Sequence, residues 1–212
     1  MYYYGSMERK LQFSIGEYYH IYNRGVDKRD VFLTEADRKR FQKLLYLANG
    51  EKPYVFRLVQ GQPLDKIDLG EKRVAIGAYC LMPNHFHLLV REVKEGGITA
   101  FMDVDRDEYL KYLFAYIHLN PVKLIEPDWK EQGIQHPEKV RGYLEQYRFS
   151  SYEDLLGKAR EEQAILSLKE FPEYFEKTSD FESFMKDWLE FKDEEELFAD
   201  ERRAEERKHA SI

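Results

Sequence analysis

The stretch that most constrains the fold runs from Arg73 to Arg91. Arg73 to Met82 is β-branched and apolar, Pro83-Asn84 is a turn pair, and His85-Phe86-His87-Leu88-Leu89-Val90 resumes the apolar run. A strand, a tight turn and a returning strand form a hairpin, so the chain must build an antiparallel sheet around it. Side chains alternate along a strand, so His85 and His87 share one face and Phe86 takes the other. Two imidazoles about 7 Å apart along a strand can chelate one divalent ion. A bare His-x-His more often lines a half-polar sheet face, so the surrounding sequence has to decide between the two readings.

Composition narrows the class. At 212 residues the chain holds one domain with a substantial appendage, or two small ones. It is 43% hydrophobic and 15% aromatic, enough for a real core. No apolar run approaches a membrane span and no charged-then-apolar leader is seen, so the expectation is a cytoplasmic protein without a membrane partner. Cys80 is the only cysteine, which excludes a disulfide framework and a thiolate zinc cluster. Net charge is −7, against a general nucleic-acid coat. The charge is uneven. Residues 1–125 carry 19 Lys and Arg against 16 Asp and Glu, whereas residues 126–212 carry 14 against 24. The first part can therefore still offer a basic face to a phosphate backbone.

Gly5-Ser6 before Met7 looks like a cloning remnant, so residues 1–6 are set aside. Tyr18 to Asn23 is aromatic and β-branched and reads as a first strand, closed at Arg24-Gly25. Arg24, Lys28 and Arg29 then lie on a basic loop, suited to phosphate contact although solvated loops of this kind are common. Thr34 and Asp37 make a capping box that opens a helix through Leu47, with Phe41, Leu44, Leu45 and Leu47 as its apolar side and Asn49-Gly50 as its stop. Tyr54 to Val59 reads as a strand and Gln60 to Gly70 as a loop. Gly96-Gly97 breaks the chain, Ile98 to Met102 starts a helix, and Asp103 to Glu108 is an acidic turn. Helical patterns fill 159–208, one opened by Ser179 and Glu182 as a capping box, and Asp193 to His209 reads as a solvated helix.

A further helix spans Glu108 to Asn120 and is stopped by Pro121. Leu110, Leu113, Phe114 and Ile117 form an apolar stripe, while Tyr109, Tyr112, Tyr116 and Asn120 form a second about a quarter turn away. Tyr116 and Asn120 are i, i+4 neighbours, so a phenol and an amide oxygen emerge together. Alone, this is a tyrosine row at the rim of a packed helix with Asn120 as a cap. With His85 and His87 it becomes a donor set: two neutral nitrogens, a carbonyl oxygen from Asn120, and Tyr116 beside them. A Mg²⁺ or Mn²⁺ held there would polarise a phosphoryl oxygen, and a tyrosine oxygen is a known covalent nucleophile.

Met82-Pro83-Asn84-His85-Phe86-His87-Leu88-Leu89 and Ala115-Tyr116-Ile117-His118-Leu119-Asn120-Pro121-Val122-Lys123 resemble the two signatures of the single-tyrosine HUH transposases, in their REP-associated branch. Tyr22-Asn23-Arg24-Gly25 and Tyr147-x-x-Ser150-Ser151-Tyr152 match as well, so the resemblance covers about residues 18–155. It implies an α+β fold with a ferredoxin-like antiparallel sheet, helices on one face, and a helical C-terminal extension. It also implies a transposase core over residues 7–125, with residues 126–212 as the acidic extension. His85, His87 and Asn120 would be the metal ligands and Tyr116 the nucleophile. Asn23, Arg24, Lys28 and Arg29 are the candidate DNA contacts, and single-stranded or hairpin DNA of REP type is the expected substrate. The protein would act as a monomer or a homodimer.

One departure stands out. Only 28 residues separate His87 from Tyr116, where the family has a longer segment with most of a helix, a strand and many basic residues. The gap falls between Met102 and Asp103. Either the chain has lost this segment or the sequence as written omits it; a true loss would expose a sheet edge. Three readings follow: an active metal-dependent DNA endonuclease, a catalytically impaired hairpin-binding protein derived from one, and a metal-binding protein unrelated to nucleic acid.

Overall fold

The computed structural model describes residues 14–95, 102–103, 107–175 and 177–190, with only the backbone described at 102–103 and 107–112. The expected features at 98–101, 104–106 and 193–209 lie outside the described residues, as do the side chains of Leu110, Tyr109 and Tyr112.

The fold is α+β. Strands β1 (Tyr18–Arg24), β2 (Val74–Met82), β3 (His85–Glu92) and β4 (Met102–Asp103) form one antiparallel sheet in the order β2-β3-β1-β4. The helices are α1 (Glu35–Ala48), α2 (Phe56–Val59), α3 (Asp107–Leu119), α4 (Trp129–Gln132), α5 (Pro137–Leu144), α6 (Tyr152–Leu155) and α7 (Thr178–Glu190). No helix among the described residues is long and apolar enough to cross a membrane.

The hairpin sits where the sequence puts it, with Met82 opposite His85 across Pro83-Asn84. Helix α1 begins on the expected box: Asp37 N–H donates to the Thr34 hydroxyl at 3.2 Å, and Thr34 N–H donates to the Asp37 carboxylate at 2.8 Å. Four expectations change. Tyr54–Val59 is not a strand; Phe56–Val59 is a helical turn, and Val55 and Leu58 are exposed, so this segment has no sheet face to join. Met102 belongs to a strand, not a helix. It and Asp103 pair with His20 and Tyr19, consecutive residues of β1. Ser179 does not cap α7. The helix starts one residue earlier, and Asp180 reaches back to accept the Lys177 N–H at 2.9 Å. Pro121 does not end the helical path, which tightens into a 3₁₀ turn over Asn120–Leu124.

The helices do not lie on one face. Phe41 of α1 packs on Phe86, while Tyr116 of α3 packs on His87, the next residue of β3. Neighbouring strand residues point to opposite sides, so α1 and α3 cover opposite faces of the sheet. The reason is that β3 is buried on both sides, with Leu88, Leu89 and Val90 all in the core. A sheet apolar on both faces needs a layer on each.

The outer edge of β2 is also covered. Leu81 N–H donates to the Phe149 carbonyl at 2.8 Å, Ser151 N–H to the Tyr79 carbonyl at 3.0 Å, and Ser167 N–H to the Ile76 carbonyl at 2.8 Å. The Arg160 guanidinium bonds the buried Asp154 carboxylate, the Tyr79 hydroxyl and the Ser150 carbonyl, locking this run down. Residues on both sides of 125 share one hydrophobic core, with Phe149, Tyr152, Phe171 and Phe181 packed together with Tyr79 and Leu89.

Candidate functional site

Strand register decides which side chains meet. In β1, Tyr22 lies opposite His87 and Arg24 opposite His85, so Tyr22, Arg24, His85 and His87 share a face. His20, two residues before Tyr22, is on that face too. The His85 and His87 rings are 5.0 Å apart between centroids and perpendicular. Helix α3 crosses above them. Its second half is buried on every side, from Leu113 to Leu119, which replaces the two-stripe picture drawn from periodicity. The cause is a third layer: Phe114 packs on Phe171 and Phe175, and His118 on Tyr152 and Phe181.

Tyr116 lands with its ring edge-on to His87 at 5.4 Å and to His20 at 5.7 Å, only 8% exposed. Asn120, one turn on, donates from Nδ2 to the Tyr116 carbonyl at 2.8 Å. The Asn120 side chain also stands close enough to the His85 ring to act on its titration. The four residues expected at the site, His85, His87, Asn120 and Tyr116, are thus brought together.

Both histidines are neutral at physiological pH. Burial pulls the His85 imidazole down to about 4, and the Arg24, Lys123 and Lys130 charges add to that. Burial also pushes His87 well below the usual histidine range, helped by His20, His85, Lys130 and Arg24. A neutral imidazole is the form that ligates a metal.

The hydrogen bonds around His85 test whether a cation fits. Asn84 donates from Nδ2 to the Lys28 carbonyl at 3.1 Å, so its oxygen faces His85 Nδ1, at 2.5 Å. A neutral imidazole has one N–H, so with Nδ1 donating to the Asn84 oxygen, His85 Nε2 carries the lone pair that a divalent ion could take. Among the described residues no three His, Cys, Asp or Glu side chains are placed to hold a metal, so Asn120 would have to be the third protein ligand.

Three participants were not legible as such in the sequence. His20 Nε2 lies 2.9 Å from His87 Nδ1, with the rings stacked at 16°. Asn84 looks like a turn residue until its oxygen is seen against His85. Lys130 in α4 puts its ammonium 5.1 Å from the centre of the Tyr116 ring. Only His20 left a signal: it alternates with Tyr22 in β1 as His85 does with His87 in β3. The proposed DNA contacts divide. Arg24 shares the histidine face. Lys28 and Arg29 are exposed on the following loop, where Arg29 pairs with Asp27 at 3.6 Å. Asn23 lies opposite Phe86 and so points to the other face.

Comparison with protein-family models, with curated proteins and with solved structures found no match to this chain.

Proposed function

We propose that this protein is a metal-dependent single-strand DNA endonuclease of the single-tyrosine HUH transposase type, acting on hairpin or REP-like DNA. The observation that carries the reading is Tyr116 held edge-on to His87, with Asn120 one turn away against His85. The antiparallel order β2-β3-β1-β4 supports a ferredoxin-like sheet. The cations Arg24, Lys123 and Lys130 around the histidines support an anionic substrate.

In the proposed reaction the Tyr116 oxygen attacks a backbone phosphorus. The bond to the 3′ oxygen breaks, that oxygen takes up a proton in place of the one the phenol gives up, and a 5′-phosphotyrosine and a free 3′-hydroxyl result. Lys130 places its ammonium over the Tyr116 ring, 5.1 Å from its centre, where it adds to the positive charge facing an anionic substrate. His85, His87 and Asn120 would hold Mg²⁺ or Mn²⁺. When bound, the ion would supply a Lewis acid at the phosphoryl oxygen.

A labelled hairpin oligonucleotide incubated with protein and Mn²⁺ should give a covalent adduct on a denaturing gel. Tyr116→Phe and EDTA should each abolish it. An adduct that survives Tyr116→Phe removes Tyr116 from the role. The 28-residue spacing favours a second reading, a catalytically impaired hairpin binder that has lost a helix–strand segment. Tight, salt-dependent hairpin binding with no adduct under any metal would select it.

A further inference from the structure

We propose that His20 is a positioning residue that sets the tautomer of His87 and so presents His87 Nε2 to the metal. The inference rests on the metal-site reading above. His20 Nε2 and His87 Nδ1 are 2.9 Å apart, and the two rings stack at 5.1 Å between centroids and 16° between planes. One proton lies between the two nitrogens, and its direction matters. If His20 donates, His87 keeps its own proton on Nε2 and has no lone pair there for a cation. If His87 donates from Nδ1, Nε2 carries the lone pair. The sheet makes this contact possible because β1 and β3 are direct neighbours and the two rings stand on one face.

The same arrangement is met at His85, whose Nδ1 faces the Asn84 oxygen. An amide oxygen can only accept, so His85 Nδ1 is the donor and its Nε2 is left for a ligand. Two rings that both commit Nδ1 to an outer partner leave matching Nε2 lone pairs. Metal-ligating histidines are commonly oriented this way, and loss of the outer partner lowers metal affinity or activity by about 10- to 100-fold. His20 thus does for His87 what Asn84 does for His85, although the two partners come from different parts of the chain.

The test uses the full chain in three measurements. Nitrogen-detected NMR of the metal-free protein reads the His87 tautomer; the expected form carries the proton on Nδ1. Mn²⁺ titration then compares wild type with His20→Leu, which cannot accept a proton, and His20→Gln, whose amide oxygen reaches to where Nε2 stood. Mn²⁺ affinity should fall by about 10- to 100-fold in His20→Leu and return to within about 3-fold of wild type in His20→Gln. A His87 proton on Nε2 in the wild type overturns the proposal, whether or not the leucine variant folds. So does equal Mn²⁺ affinity in wild type and a folded His20→Leu. If wild type binds no Mn²⁺ while the Nδ1 tautomer is present, the metal-site reading has failed and takes the proposal with it; that pattern differs from both others.

Discussion

His118 lies two residues before Asn120 but faces away from the site, toward the third layer. Its Nδ1 is 2.6 Å from the Phe114 carbonyl and must donate, so Nε2, 2.7 Å from the Ser151 hydroxyl, accepts. Burial pulls this imidazole down to about 4, below the usual 6.5. The unfolded chain therefore binds more protons than the folded one between about pH 6.5 and 4, and stability falls as pH drops through that window. At pH 5 the loss from His118 alone should be about 2 kcal/mol. Urea unfolding at pH 7 and pH 5 should show that much less pH dependence in His118→Gln than in wild type. Equal pH dependence would sink the assignment. His85 and His87 shift in the same direction, so the comparison with the variant, not the total slope, isolates His118. The His85, His87, Tyr116 and Asn120 grouping was legible from spacing and motif because each signal is local. His20 and Lys130 were not, because strand pairing and helix packing bring them in from outside those motifs, and Asn84, though inside one, read only as a turn residue.

At the scale of elements, Gly77 shows how β2 accepts a neighbour. The β2–β3 register shifts between Ile76 and Ala78, and Gly77 sits at that irregularity. A Cβ there would stand 2.6 Å from the Phe171 ring, so the missing side chain is what lets the Leu168–Glu170 turn and Phe171 close on the sheet. Gly77→Ala should cost about 1–3 kcal/mol by urea unfolding. The cost should largely vanish in a Phe171→Ala background, as contact coupling in a double-mutant cycle requires. An additive result would mean that something other than this ring opposes the methyl group. Elements whose signal is local were legible: β1, the hairpin and α1 follow from period, turn chemistry and a cap. Tyr54–Val59 misled because β-branched content alone cannot say whether a sheet edge is available. The doubly covered sheet was missed: the resemblance implies helices on one face, although the near-continuous apolar run of β2 and β3 is what a sheet buried on both faces requires.

For the whole molecule, the described residues after 125 complete the core instead of hanging from it. Segment 147–151 pairs along β2, Arg160 ties Asp154 to Tyr79, and Phe181, Met185 and Leu189 are buried. The acidity of residues 126–212 masked this, since net charge reports on solubility and partners and says little about packing. His118 on α3 reaches Ser151, so the two motif stretches that contain them, far apart in sequence, meet at one hydrogen bond.

The enclosure of α3 has a kinetic consequence. Tyr116 rides on a helix packed between sheet and third layer, against His87 of its own chain. If Tyr116 is the nucleophile, as proposed, this confinement leaves it no swing to a neighbour's site. Cleavage should then be a one-molecule event: with DNA in excess, the fraction of protein converted to adduct per unit time should stay constant as the protein is diluted. A rate that falls with dilution would mean that two copies must combine before the phenol can reach a phosphate.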